Sequence, residues 1–113
     1  MIARLKKRTN VPLDEHQAAE LAEVFHLMGD ANRLRILTAA FDGRLSVSEI
    51  AARLALPISL VSHHLRLLRA ARVVRAERRG KNVFYALADD HIRRVLADMT
   101  EHVREPDSDP IER

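Results

Sequence analysis

The stretch from Asp89 to Glu105 constrains the fold of this chain most strongly, because two patterns lie on one predicted helix. Metal-ligating side-chain types occur at both of its ends, Asp89 and His91 at the start and His102 and Glu105 at the finish. Its apolar residues recur at helical spacing and form one continuous stripe, namely Ile92, Val95, Leu96, Met99 and Val103. The stretch therefore predicts a helix with both a packing face and ligands for a metal ion.

The two ends of this helix cannot share one ion within a single chain. His91 and His102 are eleven residues apart, so they point in about the same direction but lie roughly 16 Å apart along the axis. His102 and Glu105 can share an ion, as can Asp89 and His91 where the helix begins. Pairing the helix antiparallel with a second copy would complete two identical four-ligand sites, with the apolar stripe as the dimer contact. Two imidazoles and two carboxylates suit zinc, cobalt or nickel.

The size and composition of the chain exclude several classes of protein. At 113 residues it predicts one domain, residues 13–105, between a flexible basic arm at 1–12 and a disordered acidic tail at 106–113. Without cysteine, neither a disulfide nor a thiolate metal site can form. No apolar run approaches membrane-spanning length and no secretory signal is present, so we expect a cytoplasmic protein without a membrane partner. An enzyme is not expected, because there is no His-Glu-x-x-His motif and no Gly-rich phosphate loop.

Four helices are predicted before the C-terminal one, at 14–28, 31–41, 47–54 and 57–70. Ser46 and Glu49 form a capping box at the start of the third helix, and Pro57 suits the first turn of the fourth. The apolar residues expected on their inner faces are Ala18, Leu21, Val24, Phe25, Met28, Leu34, Leu37, Ala40, Phe41, Val47, Ile50, Ala51, Leu54, Val61, Leu65 and Leu68.

A basic segment covers the fourth helix and the region after it. Between Ser59 and Lys81 there are seven Arg or Lys residues and one acidic residue, Glu77. Such clustering indicates a polyanionic partner, although a solvated charged face is the alternative. The third and fourth helices are typical of a helix-turn-helix, whose second helix would present four polar residues to DNA, Ser59, Ser62, His63 and Arg66. The alternative is an ordinary helical hairpin with a polar surface.

Two β-prone runs, 73–78 and 83–87, flank the sequence Arg79-Gly80-Lys81-Asn82 and predict a hairpin with a basic tip. In a winged helix this tip reaches phosphates or the minor groove. Arg78, Arg79 and Lys81 would then make contacts that depend little on base sequence.

Together these motifs resemble the zinc-sensing branch of the ArsR/SmtB repressors. The resemblance runs from about Glu23 to Glu105, and it rests on the pattern Asp-x-His, ten residues, His-x-x-Glu and on residues 27–37 and 61–68. It implies a mainly α winged helix-turn-helix with a small β-hairpin wing and a C-terminal dimerisation helix. It also implies a homodimer that binds double-stranded operator DNA and is released when zinc, cobalt or nickel binds between the paired C-terminal helices. The second ring N–H of His102 would bond a backbone carbonyl near the recognition helix.

The chain departs from this family at Pro57, Ile58 and Leu60, where relatives usually carry polar residues. Apolar side chains there could touch thymine methyl groups, or they could be packing residues. Asp90 replaces Asp89 as a ligand if Asp89 is only a cap, and His16 is a further candidate. The alternatives to a metal sensor are a regulator of the same fold that does not sense metal and a sequence-independent DNA binder.

Overall fold

The computed structural model describes residues 12–107, so most of the predicted arm and tail lies outside the described residues. Within this range the chain forms five α-helices and three β-strands, in the order expected for a winged helix-turn-helix, and this confirms the predicted fold class. The elements are α1 (Glu15–Met28), α2 (Ala31–Ala39), β1 (Leu45–Ser46), α3 (Val47–Leu54), α4 (Ile58–Ala70), β2 (Val74–Arg79), β3 (Asn82–Leu87) and α5 (Asp90–Arg104).

Side-chain caps determine where most of these helices begin. Ser46 accepts a hydrogen bond from the amide of Glu49, whose carboxylate in turn accepts one from the amide of Ser46, so the predicted capping box at α3 is confirmed. Asp14 forms a second reciprocal box at α1, and Asp30 caps α2. Helix α2 ends two residues earlier than predicted, because the amide of Phe41 bonds to the carbonyl of Thr38 in a tighter turn.

The sheet has the strand order β1-β3-β2, and all its pairings are antiparallel. Strands β2 and β3 form the predicted hairpin, in register from Val74 opposite Leu87 to Arg79 opposite Asn82. The two residues between them include Gly80 at φ 62°, a left-handed conformation that glycine adopts without steric cost. Strand β1 was not predicted, since a two-residue strand has no sequence periodicity.

The core lies between α2, α3, α4 and the sheet. Its fully buried side chains are Ile36, Leu37, Ile50, Val61, Leu65, Leu68 and Val73. Leu34 was expected to face inward, but it is 39% exposed, because no element within residues 12–107 covers that side of α2. Leu21 and Phe25 on α1 are also exposed, and the buried residue of α1 is Met28 at its end. In the described range, no helix has the length and apolar character needed to cross a membrane.

Candidate metal site and nucleic-acid interface

Asp89 and His91 lie close together at the start of α5. Asp89 is the N-cap, and its Oδ1 accepts a hydrogen bond of 3.0 Å from the amide of Ile92. Its other carboxylate oxygen, Oδ2, lies 3.7 Å from Nδ1 of the exposed His91. The bond from Ile92 holds the pKa of Asp89 below its usual value, so this carboxylate is ionised at neutral pH and keeps one oxygen available.

This pair fits a metal ion. Two donors that each lie about 2.0–2.2 Å from a tetrahedral ion are roughly 3.4 Å apart. The 3.7 Å separation between Oδ2 of Asp89 and Nδ1 of His91 is near that value, and both side chains are exposed enough to adjust. Asp89 can therefore cap the helix with one oxygen while its other oxygen serves as a ligand.

The second predicted pair lies at the opposite end of α5. His102 is in the last turn, and Glu105 is the C-cap with an extended backbone, φ −72° and ψ 138°. Both residues are exposed. Over residues 12–107, no three metal-ligating side chains of one chain lie close enough together to hold an ion.

The two additional candidates occupy different positions. Asp90 is the first residue of α5, and its carboxylate lies 3.9 Å from Nε of Arg93. His16 is exposed in the first turn of α1. Of these two acidic residues, Asp89 has a carboxylate oxygen beside the ring of His91, whereas the carboxylate of Asp90 lies beside Arg93.

The apolar stripe on α5 is only partly covered. Leu96 is buried and Ile92 is half-buried, so these two side chains hold the helix on the domain. Further along the stripe, Val95 is 38% exposed, Met99 55% and Val103 77%. Such a row of exposed apolar side chains is typical of a face that another protein surface covers.

The predicted DNA-contacting surface of α4 lies opposite its buried face. Ser59, His63 and Arg66 are exposed and Ser62 is half-buried. The buried face carries Val61, Leu65 and Leu68 together with His64, which is 7% exposed and was not singled out from the sequence. The spacing could have identified it, because His64 lies three residues after Val61 and four before Leu68, on the same side of the helix.

The wing carries its predicted basic residues at the surface, where Arg78, Arg79 and Lys81 are exposed. Glu77 in β2 accepts a hydrogen bond from Arg44 and lies 3.4 Å from Nε of Arg79. The bond from Arg44, and then the charges of the two arginines, lower the pKa of Glu77, so it is ionised. Arg44 was missed in the sequence, because it lies far from the basic segment along the chain and reaches the wing through β1.

The sequence matches the profile described as "Bacterial regulatory protein, arsR family" over residues 30–76. It is 40% identical over 91 residues to the "Transcriptional repressor SmtB homolog" of Synechocystis sp., an alignment covering 80% of this chain and 69% of that protein. It is 39% identical over 87 residues to the "HTH-type transcriptional regulator KmtR" of Mycobacterium tuberculosis, covering 77% and 67%. Among solved structures, HlyU from Vibrio cholerae matches with a TM-score of 0.74 at 28% identity, covering 81% of this chain and 100% of that one.

Proposed function

The chain belongs to the arsR family of bacterial regulatory proteins, and from that premise we propose that it is a homodimeric repressor that releases operator DNA when it binds a metal ion. Membership confirms the resemblance to the ArsR/SmtB repressors, without fixing the metal, and makes the chain a winged-helix transcriptional regulator rather than an enzyme. The metal, the dimer contact and the individual site residues are the parts that this proposal adds.

The observation that carries the proposal is the placement of two donor pairs at opposite ends of one helix that also leaves apolar side chains exposed. Asp89 and His91 of one chain, with His102 and Glu105 of the other, would hold the ion. Two imidazoles and two carboxylates complete a tetrahedral zinc site and leave no position for a reactive water, which suits a regulatory role. We propose zinc; cobalt and nickel accept the same donors.

On the DNA side, α4 would enter the major groove. Ser59, Ser62, His63 and Arg66 would contact bases and phosphates, and Arg78, Arg79 and Lys81 of the wing would contact neighbouring phosphates. All of these residues except the half-buried Ser62 are exposed, which supports this assignment. The buried face of α4 anchors the helix to the core, so these contacts move with the whole domain.

Helix α5 would connect the metal site to the DNA-binding surface through its packing on the domain. Leu96 and Ile92 pack it on the domain, so the angle between two paired α5 helices sets the separation of the two α4 helices. An ion bound by both donor pairs must lie between them, so its binding favours one angle between the paired α5 helices. If that angle suits the DNA-free dimer better, metal weakens DNA binding by the same factor by which DNA weakens metal binding.

The decisive experiment titrates zinc into the purified protein and follows release of a fluorescent operator duplex, with cobalt absorption as the test of tetrahedral geometry. We expect one ion per chain and a loss of DNA affinity. His102→Ala should abolish the metal response while it leaves DNA binding intact. A His102→Ala protein that zinc still releases would overturn the ligand assignment. An absence of metal binding in the unaltered protein would leave a regulator of the same fold that responds to another signal.

A further inference from the structure

We propose that Ile58 reads the 5-methyl group of a thymine in each operator half-site, so that the recognition helix selects DNA partly through an apolar contact. This inference rests on the proposed function, since it assumes that α4 enters the major groove. It names a specificity-determining residue and the base that the residue prefers.

The core does not use Ile58. It is the first residue of α4 and is 56% exposed. The packing of the helix is already provided by Val61, Leu65 and Leu68, each at most 1% exposed. Leu60, which the sequence left equally open between packing and DNA contact, is half-buried. The structure therefore separates the two residues and leaves Ile58 available to a partner.

Ile58 differs from the other exposed apolar residues in the helix that carries it. In the part of the chain that the structure describes, the other large exposed apolar side chains lie on α1, α2 and α5 or just before α1. Ile58 is the member of this set on α4, in the same helix as the exposed polar residues Ser59, His63 and Arg66. The segment from Ser59 to Lys81, with seven Arg or Lys residues and one acidic residue, favours a nucleic acid over an apolar protein surface as the partner of this helix.

The side chains at the start of α4 suit an apolar group on a base. The N-terminal residues of a recognition helix are the ones that meet base edges. Here the N-cap is Pro57, which makes no side-chain capping bond, and the next residue is Ile58, so neither side chain can donate or accept a hydrogen bond. In the major groove, thymine is the base that offers an apolar group, its C5 methyl. A thymine is therefore the base that this end of the helix fits.

The test removes that methyl group alone. The full-length protein is first used to select duplexes from a random-sequence library. Each thymine of the recovered duplex is then replaced by deoxyuridine, which lacks only the methyl. We expect replacement at one position per half-site to weaken binding of the unaltered protein by roughly threefold to tenfold, the order expected for one buried methyl group. Ile58→Ala should bind the thymine and deoxyuridine duplexes equally well.

Two controls make the outcome unambiguous. Arg78→Ala removes a proposed phosphate contact, so it should weaken binding to both duplexes by the same factor. Thermal unfolding of Ile58→Ala should match that of the unaltered protein, because the side chain lies outside the core. If deoxyuridine has no effect at any position, or the same effect on Ile58→Ala, the inference is wrong while the regulator stands. If the library yields no preferred sequence, the proposed function itself fails.

Discussion

Arg33 in α2 donates a hydrogen bond of 3.0 Å from its Nε to Nδ1 of His64 in α4. The same guanidinium donates from Nη1 to the backbone carbonyl of Leu27 near the end of α1, at 3.2 Å. One side chain thus joins three helices, including the recognition helix. Because Nδ1 of His64 is the acceptor, the bond requires neutral imidazole. Burial, and then the charge of Arg33, lower the pKa of His64 and favour that form.

Replacing His64 should destabilise the domain. His64→Ala leaves the half-buried Arg33 without its acceptor, and we expect a loss of about 1–3 kcal/mol in the free energy of unfolding. His64→Asn places an acceptor near the position of Nδ1 and should recover part of the lost free energy of unfolding. Urea unfolding measures both, with His63→Ala as the matched control, since that exposed neighbour should cost less than about 0.5 kcal/mol. Equal losses for the two histidines would refute the role of the bond.

The same bond predicts a direction for the pH dependence of stability. The pKa of His64 is lower in the folded than in the unfolded chain, so the folded state binds fewer protons. Stability therefore falls as the pH drops below about 6.5, the ordinary pKa of histidine, and is retained above it. The charged groups facing His64 are Arg33, Asp30 and His63, of which Asp30 opposes the shift. Urea midpoints at pH 5 and 8 should differ less for His64→Asn than for the unaltered protein.

Asp89 caps α5 and is a proposed metal ligand, and a substitution by Asn can separate these two roles. Asn is as good an N-cap as Asp, so Asp89→Asn should preserve the stability of the domain within about 0.5 kcal/mol. It removes the carboxylate charge beside His91, and we expect zinc affinity to fall by more than about tenfold. Isothermal titration measures the affinity, and Asp90→Asn is the control that should change neither quantity. If only Asp90→Asn weakens zinc binding, Asp90 is the ligand.

Glu77 reduces the positive charge of the wing by pairing with Arg44 and Arg79. Glu77→Gln should strengthen operator binding by roughly threefold to tenfold and make the logarithmic salt slope steeper by up to about one unit, as one more cation becomes free for phosphate. Fluorescence anisotropy between 0.05 and 0.3 M salt, on the order of the physiological range, tests this. Glu20→Gln, whose carboxylate lies 3.8 Å from Arg72, is a matched ion-pair control. Weaker binding by Glu77→Gln would show that Glu77 positions the arginines instead.

Ala55 ends α3 in a left-handed conformation, with φ 56° and ψ 45°. Glycine adopts this conformation without the clash that a Cβ atom causes, so Ala55→Gly should stabilise the domain by about 0.5–1 kcal/mol. Ala52→Gly, in the interior of the same helix, should instead destabilise it by about 1 kcal/mol. Thermal unfolding of the two variants should therefore shift in opposite directions, and a shared sign would contradict the backbone argument.

Local patterns predicted most of the fold, because helix caps and apolar periodicity act within a few residues of each other. Ser46 with Glu49 is an example, and the start of α3 follows from it. Strand β1 could not be predicted, since its two residues become a strand only by pairing with Phe84 and Tyr85. Periodicity also identifies an apolar face without showing what covers it. Leu34 and Phe25 therefore lie on predicted apolar faces that the described part of the chain leaves exposed.

In the candidate sites, too, local patterns could be predicted from the sequence, whereas contacts between distant residues could not. The types and spacing of Asp89 and His91 indicated a ligand pair, and the structure brings their oxygen and nitrogen to 3.7 Å. Residues joined across the fold were missed, because their partners are distant in the sequence. Arg44 meets Glu77 through the sheet, and Arg33 meets His64 across the core. Spacing along one helix predicted both donor pairs, but bringing the two pairs together would require a second chain.

The separation of the two donor pairs along α5 has a genetic consequence. Suppose that each site takes one end of α5 from each chain. A dimer of two His91→Ala chains and a dimer of two His102→Ala chains would then both lose metal binding, each because a different ligand is missing from both sites. A mixed dimer of the two would concentrate both defects in one site and leave the other site whole. Two loss-of-function alleles expressed together would then complement each other, restoring half of the metal capacity in mixed dimers, whereas two defects at the same end of α5 would not.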